Sequence, residues 1–256
     1  MTKTIPRGPD GRRVRQLLSQ ARPHRTVPAR VEVLSASLVG CPYEANGLAG
    51  SAETPEVFTA SLDRFDCVTY VETVLALARA SGPDGFAGEL RRIRYDGGEV
   101  EWARRNHYMT DWVRRNAKAG LVKPVPPGAL GTKRARLLDA VEGLPPRRTR
   151  FSCVPKAGWP AFAPRVRNGD VILFASTNPR LDVFHCGLLV LAGGRWNLRH
   201  ASRSQGRVVE EELSGFLAGN RMAGVIVVRP LEVAGPPVPP ARSSPVVKGG
   251  GAKGKA

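Results

Sequence analysis

Residues 66–80 read DCVTYVETVLALARA, the strongest helical pattern in the chain. Val68, Val71, Leu75 and Ala78 recur three and four residues apart, the spacing of one buried helix face. Asp66 stands where an N-cap belongs, so the spacing predicts a helix over Cys67 to Ala80 with Cys67 in its first turn. There the positive end of the helix dipole and unpaired backbone N–H groups favour a thiolate. The same N–H groups can hold a developing oxyanion. A cysteine at a helix start is also, by itself, a small apolar residue of a core.

Outward from this helix the chain divides in two. Upstream, Arg30 to Val39 reads as a short helix, followed by a loop of small residues from Gly40 to Ser51. Downstream, residues 86–95 and 100–118 read as helices, Lys123 to Pro127 breaks the pattern, and 128–165 carries no clear period. Short β-type runs then follow at Asp170 to Ala175, His185 to Leu191, Arg195 to Ser202 and Val225 to Arg229, with Glu210 to Ala218 read as a helix between the last two. The fold class is therefore α+β, a helical N-terminal half and an antiparallel sheet. Residues 31–230 are expected to form a single domain. Residues 1–30 are read as a basic, poorly ordered segment and 231–256 as a disordered Pro/Gly/Lys tail.

Composition narrows the function classes. With 256 residues, 42% hydrophobic and 24% charged, the chain suits one folded domain and excludes wholesale disorder or a collagen-like rod. No apolar run approaches the roughly 20 residues of a membrane-spanning helix. The four cysteines lack the paired spacing of a zinc site and are too few for a disulfide scaffold. Of the net charge of +17, residues 1–30 carry +7 (eight Lys/Arg against Asp10) and residues 235–256 carry +4, leaving +6 between. Such terminal excess reads as solvated tails with a weak, salt-sensitive pull on anionic polymers, and no specific nucleic-acid partner. The first 30 residues show no apolar export segment, which places the chain in the cytoplasm, or in the periplasm if the start is misassigned. A monomer is expected.

Two late histidines give Cys67 chemical company. Gly193-Gly194 supplies a two-residue hairpin turn, so Ala192 pairs with Arg195. In that register His185 and His200 project from one face as diagonal neighbours, roughly 7–8 Å apart at the backbone. One imidazole can then serve as base for a thiol while the other fixes its tautomer. Zinc binding by Cys67, His185 and His200 is the competing arrangement. Cys186 is directed by strand alternation to the opposite face, into packing. Cys41 and Cys153 read as small buried residues.

These residues also carry a resemblance. LDRFDCVTYVETVLALA (62–78), RNHYMTDW (105–112), NGDVILFAST with LDVFHCGLLV (168–190), and LRHAS (198–202) resemble, in order, the N-acetylmuramoyl-L-alanine amidase-like branch of the NlpC superfamily. Those are papain-like cysteine hydrolases of the bacterial cell wall. LVGCPYEANGLAG (38–50) is similar to the Gly-x-Pro-Tyr loop that precedes the catalytic helix in that family. The resemblance implies a papain-like fold and no cofactor or metal. It implies that Cys67 is the nucleophile, His185 the general base and His200 the residue that orients it. Tyr43 would line the site, Asp66 would shape the substrate end of the cleft, and His107 and Tyr108 would contact sugar or stem peptide, with helix packing the alternative for both. The implied partner is peptidoglycan or a muropeptide, cut between N-acetylmuramic acid and L-alanine. A stem-peptide endopeptidase cutting after D-glutamate is the alternative. From a different class, a basic anionic-polymer-binding protein with a silent core also fits the charge.

Overall fold

The Cys67 stretch becomes α3 (Cys67–Arg79) in a computed structural model that describes residues 10–233. Asp66 Oδ1 accepts the Thr69 N–H at 2.7 Å, and the Asp66 N–H donates to Thr69 Oγ1 at 2.9 Å. This closed capping box fixes where the helix starts. Side chains from Thr69 to Arg79 are all buried, so α3 is a central helix and not a one-sided one. Helices α1 (Gly11–Ala21), α2 (Val27–Ala36) and α4 (Pro83–Arg94) pack around it, and a sheet takes the remaining side.

The sheet comprises β1 (Val122–Pro124), β4 (Val171–Ala175), β5 (Val183–Ala192), β6 (Arg195–Ser202), β7 (Arg207–Glu212) and β8 (Gly224–Pro230). Its order is β1-β8-β4-β5-β6-β7, with every pair antiparallel. One face, with Leu173, Cys186, Leu188 and Ala201, packs in the α3 core. The other, with Phe174, Leu189, Leu198 and Val225, is covered by α7 (Leu213–Gly219) and by Phe162 of α6 (Trp159–Phe162). Between the halves lie α5 (Met109–Lys118) and a two-stranded ribbon, β2 (Thr132–Leu138) with β3 (Arg147–Cys153). No helix among the described residues is long and apolar enough to cross a membrane.

Several expectations are corrected. The N-terminal segment is not loose from residue 10 onward. Val14, Leu17 and Ala21 are buried at helical spacing while Arg12 and Arg15 face solvent, so the basic charge masked an amphipathic helix. Pro28 sits in the first turn of α2, where its missing N–H goes unmissed. The C-terminal boundary at 230 also shifts. The Glu232 carboxylate accepts the Val27 N–H at 3.0 Å, and Leu231 N–H donates to Leu121 O. Residues 1–9 and 234–256, the rest of the two expected tails, lie outside the described residues. Residues 207–212, partly read as helix, form β7, because pairing with β6 overrides the helical preference of Glu210, Glu211 and Glu212. The unread stretch 128–165 holds the β2–β3 ribbon. Within 100–118 only α5 is a full helix, preceded by a short turn at Trp102–Arg104.

Candidate active site

The β5–β6 hairpin takes the register that its turn residues dictate. Ala192 pairs with Arg195 and Leu188 with Arg199, and Gly193 and Gly194 both have positive φ, 57° and 77°. His185 and His200 therefore share a face. His185 Nε2 lies 2.6 Å from His200 Nδ1, and the rings are nearly perpendicular at 85°. Gly187 permits this closeness. A Cβ there would stand 2.6 Å from Leu198 Cδ1 and 3.0 Å from His200 Cβ. Phe216 of α7 covers both rings, with centroids 5.5 Å from His185 and 5.4 Å from His200.

The hydrogen bonds extend one residue beyond the expected pair. His200 Nε2 lies 2.7 Å from Glu211 Oε1 on β7. A carboxylate only accepts, so His200 carries its proton on Nε2 and presents Nδ1 as an acceptor. His185 then donates from Nε2, which leaves its Nδ1 lone pair for the thiol. Burial and the charge of His185 lower the His200 pKa to about 4, so His200 stays neutral and able to accept at neutral pH.

Cys67 sits at the start of α3, half-buried. Its thiol is held well below the ordinary range, first by a hydrogen bond from Cys186, against the opposing effect of burial, and then by hydrogen bonding to and the charge of His185. Cys186 Sγ also lies 3.2 Å from Cys67 O. Its single proton can serve that carbonyl or the Cys67 sulfur, but not both at once. Cys186 is buried on the α3 face as alternation required, yet it is more than packing, because the N-terminus of α3 ends directly over it. By contrast, burial raises the Cys41 and Cys153 thiols.

The other expected site residues divide. Tyr43 is close enough to Cys67 and Asp66 that their charges, after burial, raise its phenol, with Arg203 opposing. A bridge between Tyr43 and Phe65 holds its loop beside the start of α3. Asp66 joins the site, but its Oδ1 is committed to Thr69 as the helix cap. Burial, then Cys67, raises its carboxyl. His107 is turned elsewhere: Nε2 lies 2.7 Å from Trp102 O, and the two rings pack at 4.7 Å. Tyr108 is 2% exposed, and its hydroxyl accepts the Val141 N–H, an environment that fits the packing alternative for this residue. The value of this segment to the site is indirect. Thr110 N–H and Oγ1 both donate to Asp182 Oδ2 at 2.7 Å, and Asp182 Oδ1 accepts the Val183 N–H, which pins the strand that carries His185.

Glu211 and Asp182 are thus residues around the site that the sequence reading passed over, and Cys186 is one that it assigned to packing alone. The misread helix hid Glu211. With β7 recognised as a strand, Glu211 lies diagonal to His200 on one face. Among the described residues no group of three or more His, Cys, Asp or Glu is arranged to hold a metal ion. The two imidazoles face each other, and the expected zinc alternative finds no shared open position.

Such a constellation, a helix-start thiol beside a histidine pair, defines a candidate nucleophilic site. The family of N-acetylmuramoyl-L-alanine amidase-like (AmiA-like) proteins matches residues 33–225, and the chain belongs to that family. A protein of Legionella pneumophila strain Philadelphia 1 has a similar structure, with 21% identity, TM-score 0.77, and coverage of 86% of this chain and 94% of that one. An N-acetylmuramoyl-L-alanine amidase of Bacteroides uniformis is 25% identical, with TM-score 0.71, over 79% of this chain and 99% of that one. A Bacteroides fragilis protein provisionally named a xylanase is 27% identical, with TM-score 0.68, over 76% and 98%. No curated protein matches the chain in sequence.

Proposed function

We propose that this protein is a papain-like cysteine hydrolase of the NlpC superfamily that cleaves the amide between N-acetylmuramic acid and L-alanine in peptidoglycan or its fragments. The observation that carries the reading is the hydrogen-bonded run from His185 through His200 to Glu211, together with the thiol of Cys67 that Cys186 and His185 lower. His185 Nδ1 takes the thiol proton, and the Cys67 thiolate attacks the carbonyl carbon. The amides of Cys67 and Val68 precede the first hydrogen bond of α3, Tyr70 N–H to Asp66 O, and so are free to stabilise the oxyanion. His185 returns the proton to the leaving amine. Water then cleaves the thioester, with His185 again as base. Membership of an amidase-like family and the likeness to a Bacteroides uniformis amidase support the bond assignment. A glycosidase would need two free carboxyl groups flanking a sugar bond. Here Asp66 caps α3 and Glu211 holds His200.

Incubation with a defined muropeptide, followed by mass analysis, tests this. Intact sugar plus a free stem peptide is the expected product pair, and Cys67→Ala should reduce turnover to background. Sugar still bearing L-Ala-D-Glu, or the free dipeptide, would convert the reading to a stem-peptide endopeptidase. Activity unaffected by Cys67→Ala would end the cysteine mechanism.

A further inference from the structure

Of the four cysteines, two lie against each other at the candidate active site. Cys186 Sγ on β5 lies 3.2 Å from Cys67 O. The Cys186 thiol and its main-chain N–H also hydrogen-bond the Cys67 sulfur. A buried free cysteine ordinarily serves as a small apolar filler. Cys186 differs because its closest polar neighbours are the sulfur and the carbonyl of the candidate nucleophile. The other two thiols have different surroundings. Cys153 Sγ faces Thr132 O at 3.9 Å and Ala223 O at 3.5 Å, and the charges that act on Cys41 are those of Arg13 and Asp63.

Exposure and charge set an order of events within the pair. Cys67 is half-buried, whereas Cys186 is wholly buried, so a small oxidant from solvent meets Cys67 first. The thiolate is the form that attacks a peroxide. Their hydrogen bond lowers the Cys67 thiol and raises that of Cys186, so the charge sits on the accessible sulfur and the proton on the buried one. A low, accessible thiol with a second thiol against it is the arrangement of a redox-responsive cysteine and its resolving partner.

We propose that Cys67 and Cys186 form an oxidative modification site, at which a peroxide converts the pair to a reversible intramolecular disulfide. The disulfide stands on the two sulfurs alone; its consequence for activity rests on the hydrolase reading above. The Cys67 thiolate attacks one oxygen of hydrogen peroxide, the O–O bond breaks, and its electron pair leaves with the second oxygen as hydroxide. The sulfur has then lost two electrons and carries the hydroxyl of a sulfenic acid. The Cys186 sulfur attacks that sulfur, an S–S bond forms, and the S–O bond breaks. The hydroxyl departs with the Cys186 proton as water. A dithiol returns two electrons and two protons and frees both cysteines. Capture by Cys186 also forestalls oxidation of Cys67 to sulfinic acid, which a dithiol does not reverse.

The test uses the full chain, reduced and freed of reductant, and exposed to hydrogen peroxide near neutral pH. It is then unfolded in N-ethylmaleimide, and mass analysis counts the alkylated thiols. Two of the four cysteines should escape alkylation in the monomer. A digest should contain the Cys67–Cys186 linked peptide, and dithiothreitol added before alkylation should restore all four thiols. Sulfinic acid at Cys67 without a link, a link between any other pair, or a link confined to covalent dimers overturns the proposal. The Cys186→Ser variant keeps the size and the hydrogen-bond donor, and its fold is checked by circular dichroism. There the same peroxide dose should carry Cys67 to sulfinic or sulfonic acid, beyond rescue by dithiothreitol. Full rescue of Cys67 in that variant would show that Cys186 protects nothing, and would also overturn the proposal. Hydrolysis of a muropeptide is scored separately on the same samples. Activity should fall in proportion to the linked fraction and return with dithiothreitol. A linked chain that shows no hydrolysis even when reduced keeps the modification site and loses the hydrolase. Hydrolysis that peroxide abolishes beyond rescue, with no link formed, does the reverse.

Discussion

At the scale of single residues, the site depends on where two protons sit. Cys67 is the one cysteine whose thiol is lowered, and the Cys186 hydrogen bond is its largest cause. Cys186→Ala should therefore raise the Cys67 pKa and slow its alkylation by iodoacetamide several-fold near pH 6, with labelling mapped by peptide mass. Unchanged rates would show that His185 and the helix terminus suffice. In the unsubstituted protein, Cys41 and Cys153 should label far behind Cys67, because burial raises both. His200 makes a pH statement. Its folded pKa of about 4 lies below the ordinary value of 6.5, so between those limits the unfolded chain binds the extra proton. Stability should be complete above pH 6.5 and decline as pH falls towards 4. His200→Gln should remove that part of the slope when Tm is followed against pH. Activity of the folded protein should fall only as pH approaches about 4, where His200 itself gains the proton and can no longer accept from His185.

Elements set the distances that make those protons useful. The hairpin turn at Gly193-Gly194 fixes the register, and Gly187 lets β6 approach until His200 meets His185. Gly187→Ala would place a methyl 2.7 Å from Arg199 O and 2.6 Å from Leu198 Cδ1, so β6 must shift. Overpacking of this kind costs about 1–3 kcal/mol, and a misplacement near 1 Å lowers catalysis by up to about a hundredfold. The variant should therefore lose at least tenfold in kcat while remaining folded at 25 °C by circular dichroism. Retention of full kcat would mean that the histidine pair tolerates a looser register. The capping box at Asp66 works in the same way at the other side of the site, since the end of α3 determines where the sulfur lies.

For the whole molecule, α1 and α2 complete the core on which α3 rests. Val14 and Leu17 are fully buried, and each such side chain contributes about 1.5–3 kcal/mol through burial. Deleting residues 1–22 should therefore cost about 3–6 kcal/mol from these two alone, seen as a lower midpoint in urea unfolding. An unchanged midpoint would return this segment to the status of a dispensable tail. Glu232 gives a smaller check on the same closure, because its carboxylate receives the first amide of α2.

Much of this was legible in the residues. The period of 66–80, the N-cap at Asp66 and the paired glycines at 193–194 act through local geometry, so they specified the start of α3 and the common face of His185 and His200 without help from distant contacts. The α+β division of the chain followed from the same local periods. What escaped was non-local. Glu211 lies in a run whose own preference is helical, and only pairing with β6 makes it a strand residue that reaches His200. Cys186 points away from the histidines, as alternation demands, and it reaches Cys67 only because α3 crosses that face of the sheet. Sequence periodicity reports which way a side chain leaves its own backbone; which other backbone it meets is decided by tertiary packing.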